Sequence, residues 1–273
     1  MPTVGVQGSQ KLKISTDFSL PTEVSAVSHM LSDFHWLIHG PMKIGKTTFA
    51  MAEKDVLLLS FDPPQISLPI LQRHVDKWDS FLKFLDALET KAANGGYPYK
   101  RTVIDGADIC FRRCQEYVEK KLVIPHVSEG KWSVGWDMLD SNFASAVDRF
   151  MRLPGGSWWI CHSTWKETDS RTGSKIDVLR PLMKPRAEEV VAGRCDGTMA
   201  MDYNGNNRVM VIVGDEKTGA GHRLKEHFLT PDKRPIKEIY MGTNSNQAWE
   251  NFQTAFNNKQ TYTTMVERRA EKK

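Results

Sequence analysis

Residues 38–50 read IHGPMKIGKTTFA, and the eight from Gly40 to Thr47 fit the pattern G-x-x-x-x-G-K-[ST]. The pattern encloses phosphates for a physical reason. Gly40 and Gly45 let backbone N–H groups close around phosphate oxygens, and a helix starting behind them directs its positive end to the same place. Lys46 is expected to reach the β- and γ-phosphates, and Thr47 to offer a hydroxyl to Mg2+. The candidate nucleotide-binding segment is thus Gly40, Pro41, Met42, Lys43, Ile44, Gly45, Lys46, Thr47 and Thr48. A Gly-rich turn with an incidental lysine is the bland alternative. The flanks argue against it, because FHWLIHG before the loop is a compact apolar run and TTFAMAEK after it has helix-compatible spacing.

Outward from this loop, strand and helix alternate. DVLLLSFDPP (55–64) is a near-continuous apolar run stopped by Asp-Pro-Pro, as expected of a strand buried on both faces. WDSFLKFLDALETKA sets Phe81, Leu85 and Leu88 on one helical stripe, and RTVIDGAD is a short apolar run ending in acid. ADICFRRCQEYVEKKL predicts a helix, IPHVSEGKWSVG a long polar loop, and WDMLDSNFASAVDRFMRL a helix carrying Leu139, Phe143, Val147 and Phe150. SWWICHSTW reads as a strand again. This order predicts an α/β fold with a mostly parallel central sheet flanked by helices. Residues 168–207 are polar and basic, with no clear element except around EEVVA; NRVMVIVGDEK and KEIYMG predict two later strands, and AWENFQTAFNNK a last helix. The expected organisation is a lead-in over 1–30 with an edge strand, a core over 31–243, and a C-terminal helix and basic tail over 244–273.

The 273 residues suffice for one large α/β domain without disulfide or metal staples. Four cysteines, 40% hydrophobic and 26% charged residues describe an ordinary protein of a reducing compartment. With no apolar run near the length of a membrane span and no apolar leader core, the expected location is the cytoplasm, with no membrane partner. Cys110 and Cys114 lie four apart on a predicted helix without the further ligands of a zinc site, so helix packing is expected of them. The net charge of +4 permits a polyanionic partner without requiring one. From Lys259 onward five Lys or Arg face two Glu, read as a solvated terminus.

A phosphate-binding loop needs a carboxylate for its metal at the end of a neighbouring buried strand, and Asp105, closing TVID, is the candidate. Asp108 follows, read by its position as a helix N-cap, with an outer acid of the metal site as the alternative. Asp62, at the end of LLLSFD, would share that sheet edge and orient an attacking water, or simply end the strand before two prolines. His162, after SWWIC, would touch the γ-phosphate from a third strand end, against the bland reading of a packed histidine.

GPMKIGKTT, VLLLSFD, TVIDGAD, GKWSVGWDML and WWICHSTWKE occur in the order seen in phage nucleotide-binding ATPases of the RecA-like class, and the chain resembles that family over residues 34–242. The family includes shortened recombinase-like proteins implicated in single-strand annealing. The resemblance implies a RecA-like core that binds ATP and Mg2+, assembles head-to-tail into a homo-oligomer and engages single-stranded DNA, with a single-strand-binding protein as a further partner. By position, Lys46 and Thr47 look like the phosphate and metal residues, Asp105 like the second metal acid, and His162 like the sensor before a DNA-facing loop. Relatives commonly carry glutamate at the second strand end; the shorter Asp62 here predicts slow turnover.

Two stretches could meet DNA. One offers Lys120, Lys121, Lys131 and Trp132; the other, residues 166–194, has seven Lys or Arg against five acids, with Trp165 before it. In EKTGAGHRLKE, Arg223 is the preferred cationic finger toward a neighbour's γ-phosphate, with Lys217 and Lys225 beside it, and an ordinary hairpin loop as the alternative. The competing functions are a P-loop transferase phosphorylating a small acceptor and a nucleotide-gated assembly module with negligible turnover.

Overall fold

The computed structural model describes residues 20, 22, 24–170 and 173–272. Most of the expected lead-in lies outside them, and the described residues up to Met30 hold no strand. In chain order the first half comprises β1 (Trp36–Gly40), α1 (Lys46–Ala50), β2 (Val56–Ser60), β3 (Leu71–His74), α2 (Trp78–Ala93), β4 (Arg101–Asp105), α3 (Ala107–Leu122) and α4 (Val134–Met151). The second half comprises β5 (Ser157–Asp169), β6 (Lys175–Pro181), α5 (Pro185–Arg194), β7 (Gly197–Asn204), β8 (Asn207–Val211), β9 (Gly221–His222), β10 (Glu238–Tyr240), α6 (Ser245–Phe256) and α7 (Met265–Glu271).

The sheet runs β10-β8-β7-β1-β5-β4-β2-β3. The strands from β7 to β3 are parallel, while β8, β9 and β10 pair antiparallel. This is the expected α/β fold with its mostly parallel sheet.

Every residue of β1, β2 and β4 is buried. The two-residue period of a strand sorts them between two cores. Leu37, Leu59, Ile104 and Trp159 face one side, against α2, α3, α4 and α5; Ile38, Leu58, Val103 and Trp158 face the other, against Phe49 of α1 and Phe252 of α6. The helical stripes Phe81, Leu85, Leu88 and Leu139, Phe143, Val147, Phe150 are all buried as expected.

Four departures from the sequence reading have identifiable causes. The helix expected over TTFAMAEK stops at Ala50, because Asp55 takes φ +62° to enter β2 and Glu53 reaches Arg101 at 3.4 Å. Residues 168–207 hold, besides α5 around the expected EEVVA, the strands β6 and β7, which their polar and basic composition hid. β5 does not end at His162; it leaves the parallel sheet there and continues to Asp169, paired antiparallel with β6. The basic terminus includes a packed helix, α7, with Met265 buried and Thr264 capping its first turn.

Candidate functional site

The loop after β1 stands at a switch point. From β1 the chain crosses to β2, three places along the sheet, while β7 and β8 later build the opposite side, and the strands' carboxyl ends diverge to leave a crevice there. Two glycines make the loop possible. A Cβ on Gly40 would lie 2.6 Å from the Met201 carbonyl oxygen of β7, and Gly45 has φ +104°, the left-handed region that side chains avoid. Ile44 is buried in the α1–α6 core and anchors the loop, while Met42 points outward.

Lys43, Lys46, Thr47, Asp62, Asp105 and His162 line one cleft of about 230 Å3. That is less than the roughly 300–1,000 Å3 of pockets that enclose a whole small ligand, so the cleft matches the phosphate end of a nucleotide. Lys46 is 7% exposed, and its ammonium donates to the carbonyls of Gly40 and Pro41, each at 2.8 Å. Burial lowers its pKa, against the pull of Asp105 and Asp62.

The ends of β2, β4 and β5 are stitched together, Phe61 N–H to Asp105 O at 2.9 Å and Gly106 N–H to Ile160 O at 3.0 Å. This sets the acids beside the loop, although Asp105 comes from two strands along, with β5 between. Thr47 Oγ1 donates to Asp105 Oδ2 at 2.8 Å. Burial pushes the Asp105 carboxyl pKa up, the Thr47 bond opposes this, and Asp62 adds to it. Asp62 packs at Gly106, where an added Cβ would lie 3.3 Å from its Oδ2; its carbonyl accepts from Ser60 Oγ and His74 Nδ1. His162 pairs in register with Gly40, level with the start of the loop.

Asp108 is not the helix cap. Gly106 occupies the N-cap of α3 in left-handed conformation, and Asp108 lies inside the first turn. Its Oδ1 is buried without a hydrogen-bond partner, and desolvation raises its pKa, with Asp62 adding to the rise. The Thr47 hydroxyl and the Asp105 carboxyl, brought together by their hydrogen bond, are hard oxygen donors of the kind Mg2+ takes. Thr47 and Asp105 are the residues that would hold it.

Sequence reasoning missed two residues here. Arg208 of β8 places its Nη1 3.1 Å from where a Gly45 Cβ would be; that nitrogen donates to Ile44 O at 3.4 Å, and Nη2 to Thr243 O at 3.1 Å. His39, just before the loop, is fully buried between Ser163 Oγ and Gly219 O, each bond 2.8–2.8 Å. No short motif marks either one.

Arg223 is not brought to this cleft. It follows β9, which pairs with the first residues of β7 at the sheet edge opposite the loop, and its Nε donates to Asp196 at 2.9 Å. Lys217 is likewise in the loop before β9, outside the cleft lining. The basic stretch 166–194 is mostly tied up within the fold. Its six described cations all have partners: Lys166 and Arg180 share Glu188, Lys175 meets Glu167, Lys184 meets Gln115, Arg186 meets Asp140 and Arg194 meets Asp148. Trp132 is 94% exposed and Trp165 60%. The four cysteines are buried and free, and no helix among the described residues is long and apolar enough to cross a membrane.

A phosphate loop between a buried strand and a helix, with a threonine and a strand-end aspartate hydrogen-bonded beside it, defines a P-loop NTPase. The family AAA_24, described as an AAA domain, matches residues 33–224, and the chain belongs to that family. Among solved structures it is similar to the RadB recombinase, at 14% identity and TM-score 0.44 over 79% of this chain and 90% of that one. It is also similar to a KaiC-like protein of Pyrococcus horikoshii, at 11% identity and TM-score 0.41 over 79% and 88%. No curated protein sequence matches the chain.

Proposed function

We propose that this protein is a Mg2+-dependent ATPase of the RecA-like class that acts on single-stranded DNA in recombination or strand annealing. The observation carrying the ATPase reading is the convergence of Lys46, Thr47, Asp62 and Asp105 on one phosphate-sized cleft. In this reading Lys46 and the loop N–H groups hold the β- and γ-phosphates, Thr47 and Asp105 hold the metal, Asp62 orients the attacking water and His162 meets the γ-phosphate. The DNA reading is supported by Trp132 and Trp165, two large aromatics held out in solvent, as base stacking requires. Trp132 is presented from a turn in which it and Ser133 both have positive φ. Head-to-tail assembly would set the 62%-exposed Arg223 toward a neighbour's cleft, since its own is out of reach. A single-strand-binding protein is the further partner this role would bring.

Phosphate release with and without single-stranded DNA, for wild type and Lys46→Ala, tests the proposal. Stimulation by DNA and a loss of about 10²-fold or more in the variant are expected. Absence of both stimulation and DNA binding at low salt refutes the DNA role. The short Asp62 side chain favours one second reading, a nucleotide-gated assembly module; ATP-dependent oligomers with negligible phosphate release, abolished by Lys46→Ala, would decide for it.

A further inference from the structure

The basic stretch that the sequence offers for DNA is largely paired with acids, whereas Arg268, Arg269 and Lys272 have no acid partner among the described ion pairs. Arg268, Arg269 and Lys272 converge with Asn207, Tyr240 and Met265 around a cavity of about 130 Å3. No acid lines it. The acids nearby are engaged elsewhere: Glu267 accepts from Arg234 and Thr263, Glu271 from Thr261, and Glu238 from Asn204 and the Met265 N–H.

Arg268 is the organised member. Its guanidinium lies 3.7 Å over the Tyr240 ring and 5.3 Å from that of Tyr262, and its Nη1 is buried without a hydrogen-bond partner. Arg269 reaches across to the β7–β8 turn, donating to Asn204 O at 3.4 Å. Three like charges facing one space repel one another, and an anion in the cavity relieves that repulsion. A stacked arginine presents its planar fork to phosphate oxygens, and the flexible Lys272 adds a point charge. The space suits one phosphate group rather than a whole nucleotide.

We propose that the α7–β10 cavity is a second phosphate-binding site, separate from the P-loop, with Arg268 as its fixed donor and Arg269 and Lys272 as its outer charges. The phosphate can belong to a free anion or to a nucleic-acid backbone, and only the second source rests on the function proposed above.

Arg269→Gln with Lys272→Gln removes two exposed charges and leaves the Arg268 packing intact; Arg268→Gln is the second variant. With the P-loop saturated by nucleotide, inorganic phosphate is titrated against the melting temperature, and in parallel a labelled oligothymidylate is titrated at several salt concentrations. Phosphate should raise the melting temperature of wild type and have little effect on the double variant. If the occupant is backbone phosphate, the double variant also lowers the slope of log K against log salt by about 1.4, at ~0.7 per phosphate contact. Loss of the phosphate effect with an unchanged DNA slope assigns the site to a free phosphate group. Equal phosphate effects in wild type and both variants overturn the site. If wild type binds no DNA at all, the DNA role fails while the phosphate titration still decides this site.

Discussion

Arg208 ties together two segments far apart in the chain, the P-loop at Ile44, 164 positions before it, and the turn before α6 at Thr243, 35 positions after it. It holds the loop on the side away from the acids, next to Gly45, whose left-handed backbone has no side chain of its own to restrain it. Arg208→Ala is expected to weaken nucleotide binding 5- to 30-fold, from the roughly 1–2 kcal/mol that a hydrogen-bonded charge contributes. Titration of a fluorescent nucleotide checks this, and an unchanged Kd would show that the loop is held without it. The contrast with Lys46 and Asp105 shows what a sequence can display at this scale. Lys46 and Thr47 belong to a local pattern, and Asp105 ends an apolar run that is itself readable. Arg208 lies in NRVMV with nothing to distinguish it, because its role is set by strand order. Asp108 misled for a related reason: a carboxylate near a helix start normally caps it, but here Gly106 takes the cap and the acid lies inside the first turn.

Elements were legible where burial was complete on both faces and obscure where one face met water. β2 and β4 announce themselves as apolar runs, whereas β6 mixes charged with apolar residues, the outer half of β5 is mostly polar, and the two are held by cross-strand pairs such as Lys175–Glu167. β3 is an exposed four-residue edge strand with too little pattern to find. His39 couples these parts, joining the end of β1 to Ser163 at the start of the hairpin and to Gly219 in the loop before β9. A carbonyl only accepts, so Nε2 carries the proton and Nδ1 accepts from the Ser163 hydroxyl. Burial holds the imidazole pKa down at about 4, with Lys46 and Arg180 lowering it further and the Gly219 bond and Glu188 opposing them. The unfolded chain titrates near 6.5, so between these values it binds more protons than the folded one. The neutral His39 contribution is therefore complete above pH 6.5 and lost as pH falls toward 4, by about 3 kcal/mol at most. Asp105 and Asp108, raised by burial, act in the opposite sense over part of this range. The readout is therefore the difference between wild type and His39→Gln in denaturant unfolding from pH 8 to 4. That difference should shrink as pH falls, and parallel curves would show that His39 does not titrate with folding.

Across the whole molecule the same question concerns charge rather than shape. A formal surplus of +4 is too small to identify a partner, and the fold decides which cations remain available. Lys166 and Arg180 sit on the same Glu188, whose side chain is 13% exposed, so they serve the packing of α5 against the hairpin. Lys120 and Lys121 are exposed at the end of α3, with Lys121 Nζ 5.1 Å from the Tyr117 ring. These placements separate stability from nucleic-acid electrostatics. Lys166→Gln with Arg180→Gln should lower the melting temperature by stranding Glu188, yet leave unchanged the salt slope of the single-strand binding proposed above. Lys120→Gln with Lys121→Gln should do the reverse, lowering that slope by about 1.4 while the melting temperature holds. The two effects depend on different states, one on folding and one on the complex, so a single set of melts and salt titrations reads both. If the hairpin pair changes the slope and the α3 pair does not, the DNA path runs over β5 and β6, and the internal ion pairs must open to admit it.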